Sequence, residues 1–505
     1  MAAASDAQEL PRWRIMKNIV VISLAFMLQF TAFSSSINAE GGLGTAALAA
    51  IYAGLITSNV FLPALVIKWL GCKWSICISF VTYMPYIAAQ LYPRFWTLIP
   101  AALLVGFGGG PLWCAKCTYL SVSAETQGKT CKVPVDALLT RFLGVFFMIF
   151  QLNQVWGNVI SSLVLTSGNN TAAVTAISDE LIPSVCGARF LPSADAGAAL
   201  QPQPSDKIQM MILIYLACMA AASILVAVGV DSIKKTEKQR STSSPGSTAL
   251  LAVTLKLLVE PNQLLLVVIN IFIGLQQAFF GADFTARFAS SPAASTALLA
   301  VTLKLLVEPN QLLLVVINIF IGLQQSFVSC AVGTGTVGFV MMAYGIANAL
   351  GCVVTGYLAK ITGRTPVICV ALLSHTGLFL TLLLWRPQAH QSHLMYVIAV
   401  VWGLADSIWM VQINAYYGVL FPGRQEAAFA NFRLWESVGY IIAYLISPHF
   451  RTSTKTYILF VLMFIGTFCY FIVEYKEFKI RKKLDKAKAA SDNKGCDNIA
   501  FSNID

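Results

Sequence analysis

Long apolar blocks recur along this chain, each bounded by a short polar or charged stretch. They predict spans over residues 17–37, 44–70, 72–91, 96–122, 138–165, 210–230, 262–280, 331–358, 366–385, 394–416, 427–446 and 457–473. Each is close to the roughly 20 residues a helix needs to cross a hydrocarbon core. In lipid such blocks must be helices, because a helix satisfies its own backbone donors and acceptors. The expected fold is therefore all-α: a polytopic membrane protein of about 12 transmembrane helices.

Composition agrees with that pattern. Hydrophobic residues make up 57% of the 505 and charged residues only 11%, against about 25% charged in a soluble domain. The net charge of +11 does not gather in one groove, so nucleic acid is not an expected partner. The cations sit in short loops and in the C-terminal tail. Threading the chain by the positive-inside rule puts Lys17, Lys68, Lys73, Lys129, Lys132, Lys234, Lys235, Lys360, Arg364, Arg424 and the tail on one side, with both termini cytoplasmic. The run Arg481-Lys482-Lys483, followed by Lys486 and Lys488, also suits anionic membrane lipid.

The expected organisation is a cytoplasmic segment 1–16, a six-helix half over 17–230, a basic linker 231–261, a second helical half over 262–473 and a basic tail 474–505. The first block is longer than a signal-peptide core and reads as a retained span. A polar stretch over 168–207 reads as an extracellular loop. It opens on the sequon Asn169-Asn170-Thr171, which makes Asn169 the glycosylation candidate. Cys186 in that loop has one candidate disulfide partner, Cys330. Most other cysteines lie inside apolar blocks, where they act as small hydrophobes.

One segment breaks the pattern. Residues 247–277 and 295–325 both read STALLAVTLKLLVEPNQLLLVVINIFIGLQQ. Repeat architectures diverge and recur several times, so a single perfect copy points to a recent duplication or an assembly artefact. One further crossing would turn Lys360, Arg364 and the basic tail outward, against the charge rule. The copy therefore lies against the membrane, is balanced by a second crossing, or is missing from the natural protein; the last is the favoured expectation.

Charge within a span is costly and is a functional hint by default. The candidates for an intramembrane polar pathway are Lys116, Arg141, Asp406, Arg433 and Glu436, with the amides Gln412 and Asn414. Arg433 and Glu436 stand three apart on one helical face and can pair, as a gate, as a proton relay or as a plain interhelical ion pair. Asp406 lines a pathway or hydrogen-bonds a neighbouring helix. His375 reads as a packed polar residue. Gly106-Phe107-Gly108-Gly109-Gly110-Pro111 reads as a close helix contact. Cys114-x-x-Cys117 lacks a second ligand pair, so no metal or other cofactor is expected, and no motif points to an enzyme. The two halves also correspond: Ala64, Lys68 and Gly71 after the second span mirror Gly356, Lys360 and Gly363 after the eighth.

The stretch 402–439, WGLADSIWMVQINAYYGVLFPGRQEAAFANFRLWESVG, resembles the unc-93 family, as do SSSINAEGGLGTAALAAIYAG at 34–54 and Gly274-Leu275-Gln276-Gln277. The resemblance implies a major-facilitator-like bundle of two six-helix halves. The inner-loop carrier signature G-x-x-x-D-R-x-G-R-R is only partly kept: Gly356, Gly363 and Arg364 match, while Lys360 and Ile361 replace Asp and Arg. It implies a plasma-membrane accessory protein that regulates a potassium channel or ion balance. Two other readings stay open: a proton- or ion-coupled solute carrier, and a trafficking chaperone for other membrane proteins.

Overall fold

The computed structural model describes residues 11–37, 42–131, 133–166, 205–233, 247–280, 334–385, 392–421, 424–446 and 449–501. Regular structure among them is helical. Six helices come first: α1 Arg12–Ile37, α2 Gly42–Phe61, α3 Pro63–Ala89, α4 Phe95–Cys131, α5 Val135–Thr166 and α6 Ser205–Gly229. Then follow α7 Ser247–Leu258, α8 Pro261–Ala278, α9 Thr334–Thr362, α10 Arg364–Leu384, α11 Ser392–Leu420, α12 Gln425–Ile446 and α13 Thr452–Phe501.

Ten of these helices are long and apolar enough to cross a membrane. The apolar run of α2, Ala46–Phe61, is shorter, because Pro63 starts a new helical segment there. That segment ends at Gly71, whose non-helical backbone breaks α3. The second span thus runs through α2 into the first turns of α3, and the third follows Gly71. Helix α12 is less apolar than those ten because Asn431, Arg433, Glu436 and Ser437 sit on its buried face. The predicted linker contains a helix, α7. The last span continues without a break into the tail as α13, 50 residues long.

Helix pairing repeats along the chain. In the first six helices α1 packs on α5 and α6, α2 on α4, and α3 on α4 and α6. In the same pattern α8 packs on α12 and α13, α9 on α11, and α10 on α11 and α13. The two sets meet through α2 on α12, α5 on α9 and α11, and α4 on α12. Small residues make the tightest crossings. A Cβ at Gly106 would strike the Ile51 carbonyl of α2, and Gly274 and Gly439 let α8 and α12 touch backbone to backbone.

The ends of the helices fix which side each faces. Arg364 opens α10 and pairs with Asp136 at the start of α5. Gln425 at the start of α12 donates to Glu125 near the end of α4, 2.7 Å away. Arg424 holds Glu260, just before α8, at 2.9 and 3.3 Å. Lys17 of α1 reaches Asp231, beyond α6, at 2.9 Å. These contacts define one basic face. Burial of the Asp231 carboxyl opposes its charge, but the Lys17 ammonium holds it below the usual carboxylate range. That contact therefore contributes fully at neutral pH and fades only in strong acid.

Helix α8 starts on the basic face and α9 ends there, so Phe280 and Thr334 both lie toward the far face. Phe280 indeed packs on Tyr344, in the first half of α9, with ring centroids 4.3 Å apart and planes tilted by 32°. The end of α8 and the first half of α9 thus lie against each other. The first copy of the duplicated segment supplies α7 and nearly all of α8. The second, 295–325, lies outside the described residues, as do Asn169, Cys186 and Cys330.

Gly71 and Gly363 carry the half-to-half correspondence into the backbone. Their φ values are 76° and 82°, with ψ near 164° and 179°, a region open essentially to glycine alone. Each forms the turn between two spans on the basic face. An added Cβ at Gly363 meets nothing within 4 Å, and the same holds for Gly377 inside α10. Gly363→Ala is therefore expected to destabilise by about 1–3 kcal/mol through backbone strain alone. Gly377→Ala should be neutral or stabilising by about 1 kcal/mol. Thermal unfolding of the detergent-solubilised protein checks both; an equal response would contradict the turn geometry.

Candidate functional site

Two buried polar centres occupy the middle of the bundle. The first belongs to the second helical set. Asp406, on α11, is fully buried. Its Oδ1 accepts from Gln276 Nε2 at 2.5 Å and Gln277 Nε2 at 3.2 Å, both on α8. Its Oδ2 accepts from Tyr344 Oη at 2.7 Å and Asn348 Nδ2 at 2.9 Å, both on α9. The donors are themselves held: Trp402 Nε1 donates to Gln276 Oε1 at 2.7 Å, Tyr440 Oη donates to Gln277 Oε1, and the Cys352 thiol faces Asn348 Oδ1 at 3.4 Å. Four donors match the lone-pair capacity of one carboxylate. The arrangement ties α8, α9, α11 and α12 together.

The second centre lies where the two sets meet. Arg433 on α12 pairs with Glu436 at 2.5 Å and donates to Asn414 Oδ1 of α11 at 3.2 Å. Its guanidinium also lies 4.5 Å from the ring centroid of Trp113 on α4. Lys116, one turn along α4, is completely buried. Its ammonium sits over Phe146 at 4.4 Å, Phe147 at 4.6 Å and Trp113 at 5.2 Å. Those rings continue an aromatic cluster that includes Phe26, Phe30, Phe80, Tyr83 and Phe150. Cation–π attraction of this kind is worth about 2 kcal/mol when desolvated.

The predicted pathway residues thus divide. Asp406 stands in one network; Arg433, Glu436, Asn414 and Lys116 assemble in the other. Gln412 is buried, yet neither of its side-chain polar atoms has a hydrogen-bond partner, and it joins neither centre. Arg141 is exposed on α5 and stands in neither centre. It is the seventh residue of its helix, about 9 Å from the start, so its long side chain reaches the edge of the apolar layer. His375 is packed as expected, among Phe272, Phe379, Trp402 and Trp409. Among the described residues no group of three His, Cys, Asp or Glu is placed to hold a metal.

Several working residues escape sequence reasoning. Asp136 and Glu125 look like ordinary loop acids until the fold brings Arg364 and Gln425 to them. Gln276, Gln277 and Asn348 do leave a signal, as amides inside apolar blocks. Nothing in the sequence shows that all three turn toward one aspartate.

A family model described as "Ion channel regulatory protein UNC-93" matches residues 34–291 and 287–471. The chain belongs to the unc-93 family. Protein unc-93 homolog A from Xenopus laevis is 36% identical over 93% of this chain and 95% of its own length. The Homo sapiens protein of that name is 32% identical over 92% and 94%. The unc-93 protein of Caenorhabditis elegans, named as a candidate potassium channel regulatory protein, is 29% identical over 91% of this chain and 61% of its own length. Among solved structures, the major facilitator proton:xylose symporter XylE aligns with a TM-score of 0.55 at 13% identity, over 92% of this chain and 97% of that one. The major facilitator transporter FucP gives 0.55 at 13%, over 91% and 99%. This unc-93 family member therefore has a major-facilitator-like fold.

The Asp406 network can be tested directly. Asp406→Asn turns an amide N–H₂ toward donors that need an acceptor, each unmet group costing about 1–3 kcal/mol. It is expected to lower the melting temperature far more than Gln412→Leu, which removes no bond. For the second centre, Arg433→Gln leaves Glu436 buried without its cation and should cost about 3–5 kcal/mol. The double variant with Glu436→Gln should recover most of that loss. A double variant no better than Arg433→Gln alone would show the pair to be uncoupled.

Proposed function

We propose that this protein is a non-catalytic plasma-membrane subunit that regulates an ion channel, with potassium channels the first candidates. The observation that carries the reading is the saturation of Asp406. An ion-coupled carrier needs an acid that a proton or cation can reach and leave. Here both carboxylate oxygens are filled by neutral donors from two other helices, so the group acts as a strut. The altered signature around Lys360 and Ile361 points the same way. The name of the nematode relative and the description of the family model support the choice of partner. In this reading the basic face, with Arg364, Arg424 and the α13 tail, is cytoplasmic, by the positive-inside rule.

A second reading, an ion-coupled solute carrier, draws on the other centre. Lys116, Arg433 and Glu436 sit buried between the two helical sets of a carrier-like fold, where alternating access would expose them. A trafficking chaperone for membrane receptors is a third.

Co-expression with a panel of potassium channels separates these readings. The channel-regulator reading expects whole-cell current to change while surface delivery of the channel stays constant. Unchanged current across the panel, together with uptake by the purified protein alone in liposomes, would replace it with the carrier reading. Changed delivery at constant unitary behaviour would favour the chaperone.

A further inference from the structure

The interface between the two helical sets carries more positive charge than its own residues satisfy. Lys116 and Arg433 both lie over Trp113, from α4 and α12. One carboxylate, Glu436, serves them, and Arg433 holds it at 2.5 Å. The other buried acid nearby, Asp406, is filled by its four donors. The Lys116 ammonium has no hydrogen-bond partner among the described residues, and the Arg433 Nε–H has none either. The adjacent Cys117 thiol, the nearest polar group to the ammonium on α4, is turned toward Asn414 Oδ1 at 3.7 Å.

Burying a cation without an acceptor costs several kcal/mol in a low-dielectric interior. Shedding a proton from Lys116 would remove one charge, but it would leave the Arg433 Nε–H unmet, and a guanidinium does not deprotonate. Cation–π contacts stabilise both groups but accept no hydrogen bond. One small anion seated between the two would answer both deficits.

We infer that Lys116 and Arg433 form a binding site for a small monovalent anion, a halide or a carboxylate, at the junction of α4, α5, α11 and α12. The rings of Trp113, Phe146 and Phe147 wall the site on the α4–α5 side, and Asn414 and Glu436 lie on the other. Glu436 keeps Arg433 oriented and limits the site to a single negative charge. Access requires the two helical sets to part, so binding should be slow and should stabilise the closed arrangement. The inference stands independently of whether a channel is the partner.

Purified full-length protein in detergent provides the test. Sodium chloride, bromide or acetate is titrated at constant ionic strength against gluconate, a larger anion. Thermal midpoint and tryptophan fluorescence are followed, bromide being a quencher. The expected result is a saturable rise in midpoint with chloride or acetate, and saturable bromide quenching that disappears in Trp113→Phe. A response to acetate alone identifies a carboxylate ligand, and a response to halides alone identifies a halide. Lys116→Met should weaken the apparent affinity by roughly tenfold or more, about 1.4 kcal/mol, and Lys116→Arg should retain binding. Should Lys116→Met fail to fold, Lys116→Arg and Trp113→Phe carry the decision. An unsaturable response to all three anions, or quenching unchanged by Trp113→Phe, would overturn the site.

Discussion

A carboxylate taken out of water must be given donors, and the interior of this bundle is organised around that demand at Asp406. Each hydrogen bond between membrane helices is modest, averaging about 0.6 kcal/mol where measured. The penalty for leaving a buried group unmet is much larger. Once Asp406 lies inside α11, the side chains of Gln276, Gln277, Tyr344 and Asn348 must converge on it. That fixes the rotation of α8 and α9 about their own axes. The glycine contact between α8 and α12 then brings Tyr440 onto Gln277 and sets Arg433 and Glu436 at the interface. Stacking of Tyr440 on Tyr52 of α2, with centroids 4.6 Å apart, passes the same constraint to the first helical set.

The two sets are alike in connectivity and unlike in chemistry. The first is centred on aromatic rings, which offer negative π faces and no hydrogen-bond acceptors of comparable strength. The second is centred on amides and acids. Where they meet, cations from both sides lie over the ring of Trp113. A major-facilitator-like shell thus encloses an interior that is largely cross-braced, with ion pairs on the basic face and a tyrosine stack toward the other. At the positively charged junction the bracing is incomplete among the described residues.

The first copy of the duplicated segment is held in place by contacts at both ends of α8. Charge counting permits several paths for a second copy of α8. The contacts at the two ends, Glu260 with Arg424 and Phe280 with Tyr344, place the start of α8 on the basic face and the start of α9 on the other.

Much of the fold was legible in the sequence because lipid enforces a simple rule. Apolar blocks of crossing length must be helices, and their ends take their side from lysine and arginine. The spans, their order and the Gly71–Gly363 correspondence all follow from local composition, as does the resemblance to the unc-93 family. The same reading named Asp406, Arg433, Glu436 and Lys116, since charge in an apolar block is conspicuous by its cost. It also named Arg141, because a span gives no sign of which face is turned outward. Only the tertiary structure decided that Asp406 is saturated, that Lys116 is caged without an acceptor, and that Asp136 meets Arg364. Those outcomes depend on the rotation and crossing of helices far apart in sequence, and side-chain partners brought together across such distances leave no local pattern to read.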